Sequence, residues 1–373
     1  MKITFVMASG FSLAGGDRVI AIYADRLKKR GHEVFIVSRP QYQPSLRRQI
    51  RSVLTGQGLI PGPKRSASHF DQLDIPHILI DRWRPIVDAD VPDADVVIAT
   101  WWETAEWVAN LSKAKGAKAY FIQHHEVFDY LPKERVAATY KLPLHKITIA
   151  QWLVDLARTQ YGDSHVSLVP NSVDTEQFYA APRGKQPIPT VGMLYSTTPW
   201  KGCDVSFKAF SLAAQKIPGL RLIAFGSCAP TEDLPLPEGT KYIQQPPQDT
   251  IKDIYASCDV WLCGSWSEGF HLPLLEAMAC RTPGVSTQAG GPSDIIEDGV
   301  NGYLVPVGDS TALANQLVHL LTLPEAQWRS MSDAAYSTAT RYTWDDATEL
   351  FEAALHTAIE RGGFSYTESK ITL

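Results

Sequence analysis

Cysteine is scarce in this chain: five occur among 373 residues, at Cys203, Cys228, Cys258, Cys263 and Cys280. The set is odd in number, and Cys258 and Cys263 are spaced wrongly for a zinc knuckle. A disulfide framework and a structural zinc site are both unsupported, and the thiols are expected to be reduced, as in a cytoplasmic protein. No apolar run approaches the roughly 20 residues that a bilayer span requires, so any membrane contact is expected to be peripheral. The opening MKITFVMASG is too short and too soon broken for a signal peptide. Excess positive charge is also missing. The net charge is −5, which is not the footprint of a dedicated nucleic-acid binder. There is no low-complexity tract, and no internal repeat beyond two similar α/β halves.

What is present is the composition of a globular protein, 45% apolar and 20% charged, in a length that favours two domains. One acid-free stretch stands out. From Arg39 to Phe70 there is no Asp or Glu, while Arg39, Arg47, Arg48, Arg51, Lys64 and Arg65 are interleaved with Leu46, Ile50, Val53 and Leu54. Residues 45–55 therefore predict a short basic amphipathic helix. Such a helix can lie on an anionic membrane, bind an anionic acceptor, or be a solvated insertion. Peripheral membrane contact through 45–65 is one expectation.

The chain turns on the stretch SEGFHLPLLEAMACRTPGVSTQAGG, residues 267–291. It reads as a loop between two buried parallel strands, 260–262 and a run ending at Val285, with a helix over 274–280. Pro273 suits the first helical position, and Glu276 is expected in the first turn. A helix N-terminus is a natural anion site. Glu268 and Glu276, eight residues apart, flank it. Carboxylates repel phosphates but accept hydrogen bonds from hydroxyl-rich groups beside them. A dipole complement at Glu276 and a solvated loop residue at Glu268 are the plainer alternative.

This stretch, together with Gly290-Gly291 and 298–305 (DGVNGYLV), resembles the signature of the retaining family 4 glycosyltransferases of GT-B fold. The resemblance implies an α/β architecture of two Rossmann-like domains facing across a cleft. They would be an acceptor-side domain over 1–180 and a nucleotide-sugar domain over 181–345, with a helix over 346–373 crossing back to the first domain. It implies that Glu276 holds the ribose hydroxyls of a nucleotide-sugar donor. It further implies that Glu268 serves the donor sugar and the reacting centre, and that amides around Gly269, Phe270, His271 and Leu272 cradle the diphosphate. His271 and Arg281 stand where the family usually has Gly. His271 would bring a side chain beside the donor. Arg281, at the far end of the helix, is expected at the surface.

The rest of the chain is ordered to match. A strand over 3–7, a loop holding Gly10, Gly15 and Gly16, a helix over 17–30 and a strand over 33–38 make one α/β unit. The glycines do not fit the dinucleotide fingerprint. By resemblance, Gly15 and Gly16 lie over the donor phosphates; a plain turn is the alternative. A strand over 118–123 ends in His124-His125-Glu126. Ligands gather at such strand ends, and the resembled family often places a functional His or a polar equivalent near here; a hydrogen-bonded, non-catalytic His is the alternative. Neighbours on a strand point oppositely, so the facing one of His124 and His125 is not readable. Trp101, Trp102 and Trp107 read equally as a carbohydrate face or as core. In the second half, Lys201 matches the family lysine that neutralises the diphosphate. Met193 takes the place of the usual Arg, which leaves Lys201, helix dipoles or another cation such as Arg18.

The expectation is thus a hexosyltransferase-like enzyme that moves a sugar from a nucleotide diphosphate sugar, UDP first, to a saccharide, lipid-linked or small-molecule hydroxyl, as in polysaccharide biosynthesis. No Asp-x-Asp metal motif is evident, so no metal and no resident cofactor are expected. A nucleotide-sugar epimerase of the same fold and a non-catalytic nucleotide-binding scaffold are the competing readings.

Overall fold

Five of the six residues of the first strand are buried, and all four of Val96–Ala99. Strands apolar on both faces belong in parallel sheets covered by helices on each side. The computed structural model of the chain shows such sheets; it describes residues 1–40, 42, 44–60 and 67–363. In chain order the first elements are β1 (Lys2–Met7), α1 (Gly15–Lys29), β2 (Glu33–Ser38), α2 (Leu46–Leu54), β3 (His77–Leu79) and β4 (Val96–Ala99). Then come α3 (Trp102–Asn110), β5 (Ala117–Ile122), α4 (Lys133–Thr139), β6 (His145–Thr148), α5 (Gln151–Tyr161) and β7 (Val166–Leu168). Their seven strands are all parallel, in the order β3-β2-β1-β4-β5-β6-β7.

The second set runs β8 (Thr190–Leu194), α6 (Cys203–Ala214), β9 (Arg221–Gly226), β10 (Lys241–Gln244), α7 (Ile251–Ala256) and β11 (Val260–Cys263). It continues with α8 (Leu272–Ala279), β12 (Gly284–Thr287), α9 (Gly291–Ile295), β13 (Gly302–Val305), α10 (Ser310–Thr322), α11 (Glu325–Thr340) and α12 (Trp344–Arg361). Its six parallel strands are ordered β10-β9-β8-β11-β12-β13. In both sheets the order reverses beside the first strand, between β1 and β4 and between β8 and β11. Ligands of open α/β sheets bind outside the carboxyl ends of the strands at such a switch.

The chain divides into two compact units, one of 1–148, 154–169 and 348–373, the other of 149–153 and 170–347. The change of unit after β7 falls at 169/170, ahead of the expected 180/181. The intervening residues are held by the second unit. Phe178 packs edge-on to Tyr255, Gln177 donates to the Gln248 carbonyl, and the Ala180 carbonyl accepts from Arg281. Most of α12 belongs to the first unit. Its Phe351 is fully buried, stacked on Tyr23 at 4.2 Å and edge-on to Phe121 at 5.2 Å.

The basic helix forms as α2, capped by the Ser45 hydroxyl, which accepts from the Arg48 amide. Its polarity is inverted. Ser52 is buried, while Leu46, Ile50, Val53 and Leu54 are all at least half exposed. Lys64 and Arg65 lie outside the described residues. Trp102 and Trp107 are core residues, and Arg39 lies over the Trp107 ring. Among the described residues no helix is long and apolar enough to cross a membrane.

Candidate functional site

The loops leaving β8 and β11 meet at the switch point of the second unit. After β8 the chain makes a 3-10 turn, Pro199–Lys201, and Gly202 then opens α6 with left-handed backbone at φ 56°. A side chain at Gly202 would place its Cβ 2.0 Å from the Gly264 carbonyl oxygen, so only glycine permits this approach. The contact is reinforced: the Gly264 amide donates to the Ser206 hydroxyl and the Trp266 amide to the Trp200 carbonyl. Together these bring Lys201 onto Glu268.

The Lys201 ammonium sits 2.9 Å and 2.8 Å from the two carboxylate oxygens of Glu268. The Ser265 hydroxyl donates to Oε1 at 2.7 Å. Glu268 is buried, and burial pushes its pKa up. Lys201 and His271 outweigh this and bring it down to about 2, so it is ionised. On the other side the Glu268 backbone pairs with Gly290, and the Gly291 amide donates to the Glu268 carbonyl. A Cβ at Gly291 would lie 2.4 Å from the Phe270 backbone, so this doublet lets the two segments touch. The Trp152 indole donates to the Gly269 carbonyl at 2.8 Å and pins the loop from a further direction.

His271 is the N-cap of α8, in left-handed conformation at φ 79°, and its Nδ1 accepts from the Leu274 amide at 3.0 Å. Its Nε2 lies 3.8 Å from Glu268 Oε1. With Cys263 these two offer metal-type donor atoms within 4.8 Å of one another. Lys201 already occupies both oxygens of Glu268, so the trio fits an ion-pair cluster better than a resident metal. Contrary to the expectation that no Asp-x-Asp motif is evident, two such spacings occur, at Asp88-Ala89-Asp90 and Asp93-Ala94-Asp95. They serve local structure, with Asp90 on Arg84, Asp88 on the Ser112 amide, Asp93 on Lys115 and Asp95 on the Lys2 amide.

Two expectations need correction. Glu276 lies in the second turn of α8, because the helix starts at Leu272. It is buried and accepts from the Tyr255 hydroxyl at 2.8 Å, so it is more than a dipole complement. Arg281 is buried, not at the surface. Its guanidinium pairs with Asp333 and lies 4.2 Å from the Tyr336 ring, both on α11. Met193 is in the hydrophobic core, and the β8 residue lining the small cavity at Lys201 and Glu268 is Leu194.

In the first unit, Gly15 and Gly16 open α1, and the Gly16 carbonyl accepts from Gln123 at 3.1 Å. That bond ties the loop after β1 to the end of β5, where the histidine pair sits. His125 is committed: its Nε2 is 2.7 Å from the Tyr161 hydroxyl, and its ring packs on Tyr140. Burial, with His124 beside it, lowers its pKa to about 4, so it is neutral. His124 turns Nδ1 to the His125 carbonyl and packs its ring on Phe128.

Residues 176–338 match the profile described as glycosyl transferases group 1, and residues 13–177 match that of glycosyltransferase family 4. The chain is 31% identical over 174 residues to a D-inositol 3-phosphate glycosyltransferase of Mycobacterium avium, a match covering 43% of this chain and 40% of that protein. It is 42% identical over 88 residues to an N-acetyl-alpha-D-glucosaminyl L-malate synthase of Bacillus anthracis, covering 24% of this chain and 23% of the relative. These matches span less than half the length of the relatives. Among solved structures, Anabaena HepE in complex with UDP-glucose aligns with a TM-score of 0.68 at 18% identity over 96% of this chain and 99% of that one. Sucrose-phosphate synthase of Thermosynechococcus elongatus aligns at 0.71, with 15% identity and coverage of 96% and 99%. Two consecutive family profiles and two parallel sheets with this strand order agree: the chain belongs to the family 4 glycosyltransferases of GT-B fold.

Proposed function

We propose that the protein is a retaining glycosyltransferase that uses a nucleotide diphosphate sugar, a UDP-sugar first, and transfers the sugar to a saccharide, lipid-linked or small-molecule hydroxyl. The observation that carries this is the Lys201–Glu268 pair at the switch point, with buried Glu276 on the helix that follows. Relatives support the donor class, since HepE was solved with UDP-glucose and a pneumococcal O-GlcNAc transferase with UDP and GlcNAc. Lys201 would stabilise the leaving diphosphate, and Glu268 would orient the donor sugar. The acceptor oxygen attacks the anomeric carbon from the face the diphosphate leaves. The anomeric C–O bond breaks and the departing phosphate oxygen takes the acceptor proton. Positioning and charge stabilisation then carry the rate, without a metal.

A thermal-shift series with UDP, GDP, ADP and dTDP tests the donor site. One base is expected to raise Tm by several degrees at saturating ligand, and Glu276→Gln to remove most of that shift. No shift with any nucleotide would sink the donor reading and favour a non-catalytic scaffold.

We also propose that α2 lies at an anionic membrane surface. Four apolar side chains face outward among Arg47, Arg48 and Arg51, the pattern of an interfacial helix. Leu46→Ser, Ile50→Ser and Leu54→Ser combined are expected to cut sedimentation with phosphatidylglycerol vesicles about tenfold, with Tm unchanged. Equal sedimentation of the variant would reject the membrane role.

A further inference from the structure

The cluster at the candidate donor site is lopsided. The Lys201 side chain is 31% exposed, whereas those of Glu268 and His271 are 4% and 5% exposed behind it. An arriving diphosphate therefore meets Lys201 first. A lysine held on both oxygens of a carboxylate has one N–H left for phosphates, and moving its charge toward them loosens that grip. When it turns, Glu268 keeps the Ser265 hydroxyl but loses its cation, and a buried carboxylate without a counter-ion is strongly unfavourable.

His271 stands where the replacement has to come from. Its Nε2, 3.8 Å from Oε1, is outside hydrogen-bond range by about 1 Å. Its Nδ1 accepts the Leu274 N–H, which places the ring proton on Nε2 in the free protein. A second proton on Nδ1 ends that acceptor role. The Leu274 amide keeps its second acceptor, the His271 carbonyl at 3.1 Å, so the start of α8 survives the change.

We propose that His271 is the reserve counter-ion of Glu268: as Lys201 turns to the donor diphosphate, His271 takes up a proton and closes on Glu268, so that donor binding is proton-linked. This rests on the donor reading above. The groups facing His271 are Glu268 from the loop after β11, Cys263 at the end of β11, Lys201 from the 3-10 turn and the Leu274 amide of its own helix. Burial works against the imidazolium, but Cys263 and Glu268 outweigh it and hold the pKa above the ordinary value, while Lys201 lowers it. Moving the lysine charge away raises it further. Protons are therefore taken up at pH values between the free and bound pKa, and donor affinity falls as pH rises through the bound value.

The test is calorimetry of UDP-glucose binding across the neutral range in buffers of different ionisation enthalpy. UDP-glucose is preferred to UDP because its diphosphate diester has no proton to exchange there. His271→Asn keeps a short capping side chain and tolerates left-handed backbone. Cys263→Ser removes the rival titrating group. Uptake approaching about one proton is expected in wild type and Cys263→Ser, and none in His271→Asn, whose affinity becomes flat with pH. Wild-type binding with no proton uptake overturns the proposal and leaves the donor reading standing. Uptake that survives in His271→Asn, or that is lost only in Cys263→Ser, overturns it too. Failure of UDP-glucose and of all four nucleoside diphosphates to bind removes the donor reading, and this proposal with it.

Discussion

Replacing Lys201 by methionine is expected to lower turnover by about 10²–10³-fold, the usual cost of removing one preorganised group from a developing anion. Nucleoside diphosphate release from the donor, with and without acceptor, reads the loss. A wild-type rate in the variant would end the leaving-group role. The same assay in EDTA is expected to leave the wild-type rate unchanged if, as proposed, the ammonium meets the charge on the diphosphate. Stability should fall as well, because methionine leaves Glu268 buried with only Ser265 and His271. Breaking a fully buried pair costs about 3–5 kcal/mol, and roughly 2 kcal/mol is expected here because Lys201 is partly solvated. The converse variant, Glu268→Gln, should cost less stability, since the ammonium left behind reaches water. The pH dependence follows in sign. Glu268 is held at about 2 against an ordinary 4.5, so the pair stabilises the fold above the ordinary value and is lost as pH falls toward about 2. Lys201→Met should lack most of that acid-sensitive stability.

Gly202→Ala is expected to be nearly as damaging, although the methyl group touches no substrate. Its Cβ would lie 2.0 Å from the Gly264 oxygen and 2.7 Å from the carbon of the same carbonyl, both of them backbone atoms. The left-handed φ adds strain. The turn must move off the Gly264–Ser265 segment, and Lys201 moves with it. A displacement near 1 Å costs about 10²-fold in rate. The expected result is that loss of turnover with a lowered urea midpoint and an unchanged far-ultraviolet circular dichroism spectrum. A variant within a few-fold of wild type would show that the lysine does not depend on this lock.

Much of this layout is legible in the sequence, because buried parallel strands and the helices between them carry strong apolar patterns. The strand at β1, the basic helix at α2 and the glutamate-bearing stretch are readable for that reason. The pairing of Lys201 with Glu268 is not, since it spans 67 positions and rests on two glycines approaching in space. Arg281 looks like a surface residue because nothing local covers it. The helix α11 does so, with Asp333 and Tyr336, and its contacts are long-range. The start of α8 is displaced because histidine is an unusual N-cap, held here in left-handed backbone. Gly290 and Gly291 are visible as a turn, but their packing against Glu268 and Phe270 is a property of the folded loop.

The return of α12 has a consequence for biosynthesis. Phe351 fills the aromatic centre formed by Tyr23 and Phe121, yet it leaves the ribosome after the whole second unit. The first unit to be synthesised is therefore the last to be completed, and its early strands lack this apolar partner through the translation of residues 170–347. The interval before α12 emerges is when a nascent chain of this design most needs a chaperone.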